Sequence, residues 1–172
     1  MENGQYKEIT DIGLAKNINC FYFKTMNWLE KEFKKGKGLE TPLALIISGD
    51  SKVVAPLEDM NKEQFVHYLK IACRFMDAEA IMIFMEASRW TGDIDGYRQH
   101  RATKGEIHGD AKAVDIVSVI IETQGKQIMG WADVEVKGNK RTMKAMKWNV
   151  QDIPAEEQAL FSNFLNKEKE AA

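Results

Sequence analysis

One short apolar segment limits the folds that this chain can adopt. The segment Glu79–Ser88 has the alternation of a strand, with Ile81, Ile83 and Met85 on one side. The side chains between them are also apolar, so neither face of this strand can be left in water. The sequence therefore predicts a central strand that is covered by packed layers on both sides.

Two amphipathic helices are candidates for these layers. The segment Lys16–Lys35 carries large apolar side chains at helical spacing and is followed by two glycines. A second helix is predicted over Asn61–Asp77, with Asn61 as its N-cap and Gln64 as the capping-box partner. A third helix is predicted after Pro154. Its expected buried face consists of Leu160, Phe161, Phe164 and Leu165.

The other strands are predicted in a hairpin and a meander. Two β-branched runs flank Ser48–Ser51, which indicates a hairpin. Three strands follow one another over Val114–Thr123, Gln127–Lys137 and Lys140–Val150, although the last segment would also suit a helix. This order predicts a single α+β domain, residues 1–172, whose mainly antiparallel sheet has about six strands, with N-terminal, central and C-terminal helices. It resembles the order in roadblock and profilin-like modules, in which a helix connects one hairpin to a three-strand meander.

Composition excludes several classes of function. The 24 basic and 26 acidic side chains give a net charge of -2, which argues against nucleic acid as a partner. The sequence has no apolar run of about 18 residues, the length that a membrane-spanning helix needs. No signal peptide is visible, and Cys20 and Cys73 are expected to be reduced and buried. We therefore predict a cytoplasmic protein without membrane attachment.

A polar segment interrupts the apolar pattern between residues 90 and 112. We predict a long loop there, which is mobile or carries a function. His100, His108 and Asp110 fall within it and could form a metal or acid–base site, since histidine transfers protons near neutral pH. The alternative is a charge-balanced loop without chemistry.

Three charged residues are spaced like a nuclease site. Asp115 lies on one predicted strand, and Glu135 and Lys137 lie two positions apart on the next. This spacing resembles the core of PD-(D/E)XK nucleases, in which the two acids bind Mg²⁺ and the lysine orients the attacking water. A three-residue turn near Gly125 would place Asp115 and Glu135 on one face, and a two-residue turn would place them on opposite faces. A metal-dependent nuclease-like enzyme is therefore the alternative function.

Surplus apolar side chains favour a different function. Met129 and Trp131 lie on the otherwise polar face of their predicted strand, and Phe23 and Trp28 lie off the main apolar stripe of the first helix. Methionine and tryptophan are enriched at protein interfaces. We therefore predict a non-catalytic interaction or scaffolding module that needs no cofactor and forms a homodimer or binds a protein partner through these four residues.

Overall fold

The computed structural model describes residues 1–153 and 161–165 of the chain. Three helices and eight strands account for most of them, and a short 3₁₀ turn spans Ile9–Ile12. The helices are α1 (Lys16–Lys34), α2 (Lys62–Phe75) and α3 (Ile94–Lys104). The strands are β1 (Gly4–Tyr6), β2 (Leu43–Ser48), β3 (Ser51–Pro56), β4 (Ala80–Trp90), β5 (Ala113–Thr123), β6 (Lys126–Lys137), β7 (Lys140–Met143) and β8 (Lys147–Asp152). No helix in the described ranges has an apolar stretch long enough to cross a membrane.

All eight strands belong to one antiparallel sheet, which confirms the predicted α+β class. The strand order is β1-β8-β6-β5-β4-β2-β3, and β7 pairs with β6 beyond the end of β8. The sheet has more strands than the six expected. One reason is that β1 has only three residues, too few to show a strand pattern.

The two-faced strand is central and covered on both sides, as predicted. Met82 and Phe84 of β4 pack into a core with α1, whereas Ile81 and Ile83 pack into a second core with α2. The two helices therefore cover opposite faces of the sheet. We refer to these as the α1 side and the α2 side.

The predicted start of α2 is also confirmed. The Asn61 side chain accepts the backbone N–H of Gln64 at 2.9 Å, and the Gln64 side chain accepts the N–H of Asn61 at 3.0 Å. This reciprocal capping box satisfies two donors that an uncapped helix would leave unpaired.

The segment Lys140–Val150 forms two strands rather than one strand or a helix. β7 pairs Met143 with Val134, and β8 pairs Lys147 with Trp131. The segment advances by one residue more than β6 between these pairs, so the ladder is interrupted as at a β-bulge. The interruption leaves Met143 and Met146 both packed against the core on the α1 side.

A helix occupies much of the segment that was predicted to be a loop. α3 covers Ile94–Lys104, and the Asp93 side chain caps it by accepting the Gly96 N–H at 2.6 Å. No residue of α3 is buried, so the helix has no apolar stripe for a sequence pattern to detect. The ring of Trp90 lies 5.2 Å from that of His100 and ties the helix to the end of β4.

The predicted C-terminal helix falls partly outside the described residues, because 154–160 are not among them. Residues 161–165 form turns and bends. Phe164 is nevertheless fully buried in the core on the α2 side, as its place on the predicted buried face required.

Candidate functional site

The three residues of the nuclease-like arrangement do not converge. The β5–β6 turn contains only Gln124 and Gly125, both with positive φ, and the resulting register pairs Ile116 with Asp133. Continuing that register by one residue brings Asp115 opposite Val134, a residue of the core on the α1 side. Side chains alternate along a strand, so Glu135 projects on the α2 side.

Lys137 stays close to Glu135, without a second carboxylate from Asp115. The Lys137 Nζ lies 3.7 Å from the Glu135 Oε1, and both side chains are largely in solvent. This alternative therefore lacks the paired acids that would hold Mg²⁺. The physical reason is the two-residue β5–β6 turn, which places Asp115 and Glu135 on opposite faces of the sheet. It is one of the two turn lengths that the sequence left open.

The three candidate metal ligands separate into two groups. His100 Nδ1 lies 3.5 Å from the Asp110 carboxylate, and its Nε2 lies 2.9 Å from the Glu106 carbonyl oxygen. His108 contacts Asp115 instead, at 3.3 Å. No group of three His, Cys, Asp or Glu side chains in residues 1–153 and 161–165 is arranged to hold a metal ion. The His100 contacts join α3 to the loop that follows it.

A polar cavity lies where β4 extends beyond its neighbour β2. It has a volume of about 530 Å³, which is within the range of small-ligand sites. Inside it, Ser88 Oγ lies 3.1 Å from His108 Nδ1, and Asp115 Oδ1 lies 3.3 Å from the same nitrogen. A serine nucleophile needs one ring nitrogen while a carboxylate orients the other. Because both groups approach Nδ1, the three side chains do not have the arrangement of a serine–histidine–carboxylate triad.

The wall of this cavity contains an internal ion pair. Arg141 of β7 donates to the Glu86 carboxylate of β4, and its guanidinium lies 4.3 Å from the ring centroid of Phe33 in α1. The second Glu86 oxygen accepts the backbone N–H of Leu39 at 2.6 Å. Through these two contacts, Glu86 links β7 and the α1–β2 connection to β4.

The four predicted interface residues do not form one surface. Met129 pairs with Ile120, which belongs to the core on the α2 side, and Trp131 has the same orientation as Met129. Phe23 and Trp28 project from α1 on the other side of the sheet, and each keeps nearly half of its surface exposed. The four residues thus lie on two separate surfaces, one on each side of the sheet.

A further apolar stripe was missed by the sequence interpretation. On α2, Tyr68, Ile71 and Phe75 are 45%, 55% and 91% exposed. Their spacing of three and four residues places them on one helix face. The signal was present in the sequence. The stripe that includes Phe65 and Leu69 accounted for the core, and the second stripe was left unassigned.

A buried carboxylate lies beside the C-terminal segment. Glu122 is only 2% exposed, and its Oε2 accepts the Leu165 N–H at 2.7 Å. Burial raises the pKa of Glu122, while the nearby Lys70 and the backbone N–H groups that it accepts oppose this shift. Burial and Glu122 together raise the pKa of the Cys73 thiol to about 12, so this cysteine is an unreactive core residue. Cys20, by contrast, is exposed, so the prediction that it is buried was wrong.

Because folding raises the pKa of Glu122, we expect the free energy of unfolding to fall as pH rises. The folded state holds the carboxyl proton more tightly than the unfolded chain, so stability declines from the ordinary pKa of 4.5 up to the raised value. Glu122→Gln should remove this decline, since the amide does not titrate. Urea unfolding of both proteins at a series of pH values measures the difference. Parallel pH profiles would contradict the assignment.

Comparison of the chain with models of protein families, with curated proteins and with solved structures gave no match. The resemblance to roadblock and profilin-like modules therefore stays a prediction from element order.

Proposed function

We propose that the protein is a non-catalytic interaction module that self-associates through the outward face of α2. The observation that carries this proposal is the near-complete exposure of Phe75, together with Ile71 and Tyr68 on the same helix face. The free thiols Cys20 and Cys73 suit a cytoplasmic setting, in which cysteines stay reduced.

The exposed stripe is unusual because its members adjoin one another. Single apolar side chains on a protein surface are common, whereas adjoining ones mark contact surfaces. Burying one large apolar side chain contributes about 1.5–3 kcal/mol. Three side chains on each of two copies can therefore supply the centre of a contact. Aromatic residues such as Phe75 and Tyr68 are suited to that role.

The charges beside the stripe favour a second copy as the partner. Glu63 near the start of α2 and Arg74 near its end are both exposed, and their spacing of three helical turns places them on the same flank. An antiparallel pairing of two α2 helices brings Glu63 of each copy towards Arg74 of the other. Such a two-fold contact is self-complementary, as is usual in homodimers.

Light scattering during size-exclusion chromatography tests the proposal. The wild-type protein should elute as a dimer at micromolar concentration. Phe75→Glu should elute as a monomer, because the new carboxylate would lose its water at the centre of the contact. The matched control is Phe23→Glu, which alters an exposed phenylalanine on the α1 side and should leave the dimer intact. A monomeric wild type, or a dimer that survives Phe75→Glu, would refute the proposal.

A charge exchange tests the antiparallel arrangement separately. Glu63→Arg should weaken the dimer by placing like charges together, and the double variant Glu63→Arg with Arg74→Glu should restore it. Sedimentation measurements of the dissociation constants compare the three proteins. If the double variant is as weak as the single one, the helices do not pair in this orientation.

A further inference from the structure

A groove lies between α1 and the β2–β3 hairpin, on the side of the sheet opposite to the α2 stripe. Its volume is about 270 Å³. Lys24 and Trp28 of α1 form one wall, Leu43 and Leu45 of β2 form the floor, and Lys52 and Val54 of β3 form the outer wall. We refer to it as the hairpin groove. We propose that the hairpin groove binds an extended peptide segment of a protein partner, with an apolar side chain between acidic residues.

The inside of the hairpin groove is apolar. Leu45 is fully buried beneath it, whereas Trp28 and Val54 are 46% and 48% exposed along its rims. The polar hydroxyl of Thr25 is already used, since it donates to the Phe21 carbonyl oxygen at 2.9 Å. An apolar side chain that enters the groove would cover the exposed surfaces of Trp28 and Val54 without leaving a buried polar group unpaired.

Positive charge surrounds this apolar floor. Lys24, Trp28 and Lys31 lie on one face of α1 because they are four and three residues apart. Lys52 approaches from the hairpin, where its Nζ lies 5.2 Å from the ring centroid of Phe21. Residues 16–37 contain six lysines and two glutamates, within a chain of net charge -2. Carboxylates on both sides of the apolar side chain would complement these ammonium groups.

The position of β3 explains why the ligand should be extended. β3 is the last strand of the sheet on its side and pairs only with β2 among the described residues. Its outer backbone groups can therefore accept an additional strand, as edge strands do in peptide recognition. A strand added there would present alternate side chains on the α1 side, next to Val54 and Lys52. Pro56 has no N–H group and would end the pairing.

Single-stranded nucleic acid is a poorer fit to the same features. Its binding sites stack successive bases on several aromatic side chains along a continuous basic track. The hairpin groove has Trp28 as its one aromatic lining residue in the part of the chain that the structure describes. The apolar floor formed by Leu43 and Leu45 favours an aliphatic side chain instead.

Selection from a random peptide library displayed on phage tests the inference. The immobilised wild-type protein should enrich peptides in which an aliphatic residue is flanked by Asp or Glu. Synthetic versions of the enriched peptides are then measured by fluorescence anisotropy. Lys24→Glu combined with Lys52→Glu should weaken their binding by at least about tenfold, and Trp28→Ala should do the same. Lys137→Glu is the matched control, because Lys137 is an exposed lysine of β6 outside the groove.

The binding of a labelled oligothymidine is measured in the same way, and thermal unfolding is measured for each variant. Unchanged melting temperatures would show that the losses come from the groove and not from the fold. The inference is refuted if no acidic–apolar peptide is enriched, or if the enriched peptides bind the groove variants as tightly as the wild type. It is also refuted if oligothymidine binds more tightly than the peptides. Repeating the peptide measurement on Phe75→Glu separates this site from the α2 contact, and that variant should bind normally.

Discussion

Replacing Gly130 with alanine should destabilise the fold by about 2 kcal/mol, because overpacking a filled core displaces its neighbours. A Cβ atom at Gly130 would lie 2.5 to 2.9 Å from three ring carbons of Trp148. The Trp148 ring is buried and cannot move away freely, since the Tyr22 ring packs edge-on against it at 5.3 Å. The methyl group must therefore shift β6, β8 or both.

Thermal unfolding of Gly130→Ala measures this effect. The melting temperature should fall by about 4–8 °C for a domain of this size. Gly4→Ala is the matched control, because Gly4 also lies in a strand and its added Cβ would meet only the Tyr6 ring at an ordinary 3.8 Å. Equal losses in the two variants would show that the close approach of Trp148 to the backbone is not the cause.

Glu86→Ala should destabilise the fold by about 2 kcal/mol, since it leaves partly buried donors without their acceptor. The substitution would deprive the Arg141 guanidinium and the Leu39 N–H of the carboxylate at once. The Glu86 and Arg141 side chains are only about one fifth exposed, at 21% and 19%, so water replaces the carboxylate poorly.

Urea unfolding of Glu86→Ala, Arg141→Ala and the double variant tests this arrangement. The double variant should lose less stability than the sum of the single losses, because the two side chains interact. Glu135→Ala provides the comparison, since its contact with Lys137 is a surface ion pair worth about 0.5 kcal/mol or less. Additive losses, or an equal loss at Glu135, would show that the Glu86 pair does not anchor β7.

The core of this fold could be predicted because its signals are local. The two-faced segment that became β4 required covering layers, and the apolar stripes of α1 and α2 supplied them. The capping box of α2 could also be predicted, because both of its partners lie within four residues. These features depend on spacing and side-chain type, which the sequence displays directly.

Whether the nuclease-like residues could converge depended on the register between β5 and β6, which the sequence did not determine. One residue more in the turn at Gly125 would have placed Asp115 and Glu135 on the same face. α3 could not be recognised because a helix without buried residues has no apolar stripe. The exposed stripe at Phe75 was visible in the sequence, but the stripe that includes Phe65 and Leu69 already accounted for the core, so the second stripe was left unassigned.

The sheet joins the two distant ends of the described chain. Among the described residues, β1 pairs only with β8, through contacts such as Gly4 with Val150. During synthesis, β1 therefore leaves the ribosome long before its hydrogen-bonding partner exists. Such non-local pairing slows folding, and closure of this edge has to wait until β8 has been made. Because β1 has only three residues, it limits the unpaired backbone that the nascent chain exposes before β8 is made.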